Sequence, residues 1–271
     1  MKKLKIVLAV LLACVAGLSH ADKFEDGLNA FRASDYKAAV NIWRPLAEQG
    51  DAKAQTKLGF VYEKGLGVPQ NYQEAAEWYR KAAGQGHAYA QSGLAILYHE
   101  GLGVPQNTEE AVKWWRKAAD MGEASSQYNL GVAYERGQGG VPQNYQEAVK
   151  LYQKAADQGH PDAQFNLGVA YDQGHGIPQN YQEAVKWHRK AAVRGHDSAQ
   201  YRLGLAYADG EGVPQSKVLA YMLFSLAVTG GYTDAVNHRD IVQKKMTPDE
   251  IAKGQELAAK WKRGTPLPTS Y

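Results

Sequence analysis

Apolar residues recur at helical spacing in two kinds of segment that alternate along most of the chain. The first kind is illustrated by residues 52–62, in which Ala54, Leu58 and Val61 share one face at i, i+4 and i+7. We call this segment helix A. It is expected to end near Gly65, because glycine readily takes the left-handed backbone conformation that terminates helices.

The second kind of segment begins at Asn71 and carries Glu74 three residues further on, which is the spacing of a capping box. It places Trp78 and Tyr79 on an apolar face and stops at Gly86. We call it helix B. The same cap spacing recurs at Asn107/Glu110, Asn144/Glu147 and Asn180/Glu183. Since a helix cap contributes about 1 kcal/mol, the recurrence predicts the same starting point for helix B in each copy.

Helices A and B together form a unit that repeats along the chain. A Val-Pro-Gln or Ile-Pro-Gln tripeptide begins at positions 68, 104, 141, 177 and 213, so the period is 36 residues with one of 37. The additional residue is a glycine within residues 137–140, in a turn where an insertion costs little. Neither helix can bury its apolar face alone, so neighbouring pairs must stack. The sequence therefore predicts an all-α solenoid.

The segments at both ends depart from this repeat, as the ends of a solenoid require. Residues 22–50 predict an irregular first helix pair, and residues 51–230 hold the five repeats. Residues 231–263 predict capping helices, the last of which has Pro248 at its first position. Residues 264–271 contain two prolines and are expected to form a loose tail.

Residues 1–21 have the pattern of a removable export signal. A short cationic stretch precedes the apolar residues 6–18, and small residues precede a cleavage point after Ala21. The apolar run would span only about 20 Å as a helix, less than the ~30 Å core of a membrane. As an alternative, residues 11–14 approximate a lipoprotein-processing box that would leave a lipidated Cys14. We therefore predict an exported protein, periplasmic or secreted, with a lipid anchor as the alternative.

Charge and cysteine content exclude several classes of function. The chain has 31 Lys and Arg against 28 Asp and Glu, but Lys2, Lys3 and Lys5 lie in the removable segment, so the remainder is neutral. A neutral chain without a basic run lacks the electrostatic footprint of a nucleic-acid-binding protein. Cys14 is the only cysteine, so the exported chain would have no disulfide and no cysteine nucleophile. No other apolar run is long enough to span a membrane.

Motifs for catalysis or metal binding are not found in a suitable context. The glycine-rich stretches lie in turns between helices, where no strand precedes them to form a phosphate or dinucleotide loop. His87, His160 and His196 share one position in the repeat, directly after a glycine. Equivalent atoms in adjacent repeats should lie ~10 Å apart, too far to share a metal at bond lengths near ~2 Å. We therefore predict no catalytic residue, no metal site and no cofactor.

The repeat has a recognisable consensus. It reads A-x-A-Q-x-x-L-G-x-x-Y-x-x-G-x-G-V-P-Q from Ala52 to Gln70, and A-x-x-W/Y-x-x-K-A-A-x-x-G from Ala75 to Gly86. Over about residues 51–230 the chain resembles the Sel1-like repeat (SLR) family, a relative of the tetratricopeptide repeats. The resemblance implies a right-handed α–α superhelix that binds a protein or peptide as a non-catalytic adaptor or regulator, often in the bacterial envelope or in host contact.

The same resemblance implies a second hypothesis, an envelope enzyme acting on β-lactams or peptidoglycan fragments. Exported, cysteine-rich members of the family are linked to β-lactam binding or hydrolysis. Those members are built around a disulfide in each repeat, and this chain lacks the corresponding cysteines.

In the related repeats the partner groove is lined by helix-A positions that the core does not use. One such position is Thr56, Ser92, Tyr128, Phe165 and Tyr201 in successive repeats, and the next is Lys57, Gly93, Asn129, Asn166 and Arg202. Rings spaced by about 10 Å would suit an extended peptide held by apolar anchors and hydrogen bonds. The alternative is that the rings fill space between repeats. The predicted partner-binding residues are Tyr89, Tyr128, Asn129, Phe165, Asn166, Tyr201 and Arg202.

Overall fold

The computed structural model describes residues 22–270, which contain fourteen α-helices and no strand. The predicted export signal and Cys14 lie outside these residues. The helices are α1 (22–32), α2 (Tyr36–Glu48), α3 (Ala52–Lys64), α4 (Tyr72–Gly84), α5 (Ala88–Glu100), α6 (Thr108–Asp120), α7 (Ala124–Arg136), α8 (Tyr145–Asp157), α9 (Pro161–Gln173), α10 (Tyr181–Val193), α11 (Asp197–Asp209), α12 (Lys217–Thr229), α13 (Ala235–Gln243) and α14 (Pro248–Lys260).

The chain divides into two compact units, Met1–Ser126 and Gln127–Tyr271. In the first unit, helices α2 to α6 each pack on the next, and α3 also contacts α5. In the second unit, helices α8 to α12 pack in chain order, and α12 contacts both α13 and α14. The odd-numbered helices α3 to α11 are the A helices, and the even-numbered helices α4 to α12 are the B helices. Serial packing of helix pairs confirms the predicted all-α solenoid class.

Each A helix ends on a glycine, as the sequence predicts. Gly65 has φ 69° and its N–H donates to the carbonyl of Val61, which closes the last turn of α3. The second glycine of the turn is needed for a different reason. A Cβ on Gly67 would lie 2.5 Å from the backbone carbon of Tyr36, at the start of α2. The turn between the helices therefore passes directly against the backbone of the neighbouring pair.

The B helices use only half of the predicted capping box. In α6 the Asn107 side chain accepts a hydrogen bond from the Glu110 N–H at 3.0 Å, as expected. The Asn107 N–H, however, donates to the carbonyl of Tyr98 at 2.8 Å, so it is not available to the carboxylate. Glu110 instead pairs with Lys113 at 3.1 Å. The full box is formed at Thr247, where α14 begins.

The core follows the repeat closely, with one exception. The leucine of the Leu-Gly or Leu-Ala step is at most 4% exposed in all five A helices. At the B-helix position that Trp78 holds in the first repeat, Trp78, Leu151 and Trp187 are buried. Trp114 occupies the same position but is only half-buried, and the Lys117 ammonium lies 4.1 Å from its ring centroid. The lysine stem covers the part of the ring that the core leaves open.

The C-terminal segment, expected to be loose, is held on the second unit. Leu267 is buried among the apolar residues of the last helices. The Arg189 guanidinium donates to the carbonyls of Leu267 and Pro268 at 3.1 and 3.2 Å. The Gly264 N–H donates to the carbonyl of Val193 at 2.7 Å. A single apolar side chain and one arginine on α10 thus anchor residues that the sequence pattern leaves unassigned.

In the A helices α3, α5, α9 and α11, a buried glutamine ties the helix to the preceding pair. In α3, the Gln55 amide donates to the Ala47 carbonyl at 2.9 Å, and its Oε1 accepts from Gln85 at 2.8 Å. The residue equivalent to Gln85 in the next repeat is Met121, which is 58% exposed and has no donor. The Oε1 of the buried Gln91 consequently has no hydrogen-bond partner. Leaving a buried acceptor unpaired costs about 1–3 kcal/mol.

Replacing Met121 by glutamine should therefore raise the free energy of unfolding by about 1 kcal/mol, because the new amide can donate to Gln91 as Gln85 does to Gln55. Chemical denaturation followed by circular dichroism measures the change. Met121→Leu is the control, since leucine is close to methionine in volume, is uncharged and has no donor. Equal stability of the two variants would contradict the hydrogen-bond explanation.

Candidate partner-binding surface

The three predicted ring residues all lie in the second unit, on successive A helices. Tyr128 is on α7, Phe165 on α9 and Tyr201 on α11. We call them the ladder rings. Each is half-buried, because it sits where the side of the A helix leaves the core. Part of each ring is therefore fixed by packing and part is available for contact.

Each ladder ring packs against a ring from the beginning of the next repeat. Tyr128 stacks on His160, with centroids 4.8 Å apart and planes at 19°. Phe165 stacks on His196 in the same way, at 4.6 Å and 21°. Tyr201 contacts Tyr232 at 4.8 Å and 33°. His160, His196 and Tyr232 share one position of the repeat, so the same ring contact recurs in three successive repeats.

A second set of rings holds the ladder from the core side. Tyr128, Phe165 and Tyr201 lie 6.0, 5.6 and 5.8 Å from the B-helix rings at positions 152, 188 and 224, respectively. Burial raises the pKa of the Tyr128 and Tyr201 hydroxyls, so both stay protonated at neutral pH. The ladder is thus a row of rings that pack between repeats and remain partly exposed.

The predicted polar residues beside the ladder rings, Asn129, Asn166 and Arg202, have different surroundings. Asn166 lies beside the hydroxyls of Tyr128 and Tyr152 and acts to lower their pKa, against the larger effect of burial. Asn129 is half-buried on α7. Arg202 is half-buried on α11 and lines a cavity of about 230 Å³ together with Asp172 and Asp209, among others. Asn166 therefore adjoins the ladder rings, whereas Arg202 brings a cation to an otherwise acidic cavity wall.

Histidines at the starts of the A helices are additional surface residues that the sequence placed only in turns. His196 is the N-cap of α11, and its Nδ1 accepts from the Ala199 N–H at 3.2 Å. That bond leaves the proton on Nε2, which donates to the Asp162 carboxylate at 3.2 Å. The contact lowers the pKa of Asp162, so it stabilises the fold above about pH 4 and is lost as the pH falls through the lowered pKa.

The sequence signal that locates these histidines is their shared position in the repeat. Extending the histidine position from His196 by one period of 36 reaches Tyr232, so a ring stands at this position after each of the three ladder rings. The stacking onto the ladder could not be read from the sequence, because it joins positions that lie more than thirty residues apart.

Tyr89 belongs to the first unit. It is 70% exposed on α5, and its ring lies 6.3 Å from that of His87. At the ladder position, the first unit has Thr56, whose hydroxyl is 2.9 Å from the His87 Nδ1. Burial, and next the charge of Lys53, lower the pKa of His87. A hydroxyl–imidazole contact thus replaces the ring stacking found in the second unit.

Two further observations concern residues 22–270 as a whole. No group of three or more His, Cys, Asp or Glu side chains in this range is arranged to hold a metal ion. None of its helices combines the length and the apolar character needed to cross a membrane.

Comparison with protein families accounts for the period. Five consecutive stretches match the Sel1 repeat, at residues 52–87, 88–123, 124–160, 161–196 and 197–232. The chain belongs to the Sel1 repeat family. Sel1 repeats generally mediate protein–protein interaction, and proteins built from them are typically non-catalytic scaffolds. Each matched stretch contains one A helix followed by one B helix.

Solved structures of other Sel1 repeat proteins resemble this chain. A Sel1 repeat protein from Oxalobacter formigenes is 32% identical, with a TM-score of 0.76 over 90% of this chain and 99% of that one. A protective antigen present in uropathogenic Escherichia coli strains, which displays an SLR fold, is 29% identical, with a TM-score of 0.43 over 82% of this chain and 63% of that one. A Sel1 repeat protein from Klebsiella pneumoniae subsp. pneumoniae is 25% identical, with a TM-score of 0.49 over 74% of this chain and 97% of that one. No curated protein matches the chain.

Proposed function

We propose that this Sel1 repeat protein is an exported, non-catalytic adaptor or regulator that binds a segment of another protein on the A-helix face of its second unit. The observation that carries the proposal is the row of half-buried rings on α7, α9 and α11. Aromatic side chains that are held rigidly by their neighbours lose little entropy on binding and dominate many protein interfaces. The stacking against His160, His196 and Tyr232 supplies that rigidity.

The charged residues beside the ladder rings indicate which side chains the bound segment would carry. Asp172, Asp209 and Glu211 line the cavity beside Arg202, so acidic side chains outnumber the basic one there. A segment with apolar side chains for the ladder rings and a basic side chain for this cavity would complement both features. The surface therefore favours an extended segment with apolar anchors and a nearby Lys or Arg.

The proposed site is tested by the location of cross-links. A photo-crosslinking residue at position 129 or 202 should capture the partner in cells, whereas the same residue at Lys154, exposed on a B helix, should not. The triple variant Tyr128→Ala, Phe165→Ala and Tyr201→Ala should lose capture and keep its helical circular dichroism. Tyr72→Ala with Tyr145→Ala is a matched control that removes two half-buried tyrosines from B-helix starts. Capture that survives the triple variant would refute the site.

Export is tested separately by the mature N-terminus. A processed chain that begins at Asp22 supports a soluble exported protein, and one that begins at an acylated Cys14 supports a lipid-anchored scaffold of the envelope. Intact mass spectrometry of the protein purified from cells distinguishes the two. An unprocessed chain that begins at Met1 would overturn export by cleavage.

A further inference from the structure

A second concave feature of the second unit lies away from the ladder, on its B helices. A cleft of about 760 Å³ is lined mainly by α8 and α10. Ala156, Trp187 and Val193 supply an apolar part of its wall. The volume lies within the range typical of small-ligand sites. None of the ladder rings lines the cleft.

Cations dominate the polar part of the wall. Lys186, Arg189, Lys190 and Arg194 line the cleft against two carboxylates, those of Asp157 and Glu183. Lys186 pairs with Glu183 at 2.6 Å, and Arg189 is engaged by the C-terminal segment. In the described part of the chain no carboxylate lies within ion-pair distance of the two remaining cations, Lys190 and Arg194. Both are therefore available to an anionic ligand.

Lys190 is held in place for this role. Its ammonium lies 3.6 Å from the centroid of the Trp187 ring, and the indole is 7% exposed. Arg194 is the C-cap of α10, and its guanidinium covers Gly159, where a Cβ would lie 2.6 Å from one of its nitrogens. The two cations thus occupy defined positions on one side of the cleft.

An unpaired buried acceptor also lines the cleft. Gln164 is 4% exposed and its amide donates to the Ala156 carbonyl at 3.1 Å. Its Oε1 has no partner. In the preceding repeat the equivalent Oε1, on Gln127, accepts from Gln158 at 2.8 Å. Arg194 stands here in place of that donor. The cleft therefore combines two unpaired cations with one amide oxygen that accepts no hydrogen bond.

We infer that the cleft binds a short acidic peptide segment. Side-chain carboxylates of the peptide pair with Lys190 and Arg194. The apolar part of the wall, at the half-buried Val193, packs against the peptide chain. Asp157 and Glu183 interrupt the positive surface, which disfavours a continuous polyanion such as nucleic acid and favours separate carboxylates. This site is independent of the partner surface proposed for the A helices.

The probe is an acetylated, amidated tetraglutamate peptide, compared with its tetraglutamine counterpart by calorimetric titration of the full chain at about 0.15 M salt. Tetraglutamate should bind with a Kd below about 1 mM, and tetraglutamine should bind at least about tenfold more weakly. Absence of tetraglutamate binding, or equal binding of the two peptides, would overturn the inference.

Arg194→Gln separates binding from folding. The new amide should reach Gln164 Oε1 as Gln158 reaches Gln127, so the variant should be at least as stable as the parent. It should nevertheless bind tetraglutamate about tenfold more weakly, because one cation is gone. Lys190→Gln should show a similar loss. Unchanged affinity in both variants would refute the site.

Lys117→Gln is the matched control, because Lys117 holds the same repeat position over Trp114 in the first unit. It should bind tetraglutamate as the parent does; an equal loss in this variant would show that binding is non-specific. The triple ladder variant should also retain tetraglutamate binding. Loss of binding there, with the fold intact, would contradict the independence of the two sites.

Discussion

Gly204→Ala should lower the free energy of unfolding by about 1–3 kcal/mol. Gly204 lies on α11 against the ring of Phe224, which is fully buried in α12. A Cβ at position 204 would lie 2.7 Å from the Phe224 Cε1, closer than packed carbon atoms approach. Since the ring is enclosed, relief requires the two helices to move apart. Chemical denaturation followed by circular dichroism measures the loss.

Gly84→Ala is the matched control and should have the opposite sign. Gly84 is the last residue of α4, and a Cβ there would have no atom within 4 Å. Alanine is favoured over glycine in a helix by up to about 1 kcal/mol, so this variant should be stabilised. A compensating Phe224→Leu should recover part of the stability lost in Gly204→Ala. Equal effects of the two glycine substitutions would show that helix propensity, not ring contact, decides the outcome.

The sequence predicts the parts of the fold that repeat. Tyrosine, glycine and leucine positions kept at a period of 36 are sufficient to place the A and B helices and their ends. The predicted hydrogen bond from the Asn107 N–H to the Glu110 carboxylate is wrong, because that N–H donates to a carbonyl of the preceding helix. That competition involves two different helices, and no local motif reveals it.

The candidate site was only partly predictable for a related reason. Tyr128, Phe165 and Tyr201 stand out because they vary between repeats while the core does not. Their support comes from His160 and His196, which belong to the next repeat and cap its helix. A residue that serves both a cap and a ring stack has no single sequence signature. The C-terminal segment is not part of the repeat, so the repeat pattern does not predict where it packs.

The contact between positions 172 and 188 allows the sharpest test of how the repeats tolerate exchange. His188 is 1% exposed, and its Nε2 lies 2.8 Å from the Asp172 carboxylate. The equivalent pairs in the first and third repeats are Tyr79 with Glu63 at 2.8 Å, and Tyr152 with Glu135 at 2.5 Å. In the second repeat the pair is Trp115 with His99, whose ring centroids lie 5.3 Å apart. In the fifth repeat the pair is Phe224 with Ala208, which has no polar group on either side chain. The two positions thus change together within one chain.

Asp172→Ala should therefore cost about 1–3 kcal/mol, because it leaves both ring nitrogens of His188 buried without a partner. Adding His188→Phe should recover most of the loss, since the double variant recreates the Ala208–Phe224 pair. The ring fits, because Phe224 contacts Gly204 as His188 contacts Gly168. A double-mutant cycle by chemical denaturation should give a coupling energy of about 1–2 kcal/mol. Additive effects of the two substitutions would show that the pair is not an energetic unit, and the internal exchange between repeats would then reflect packing volume alone.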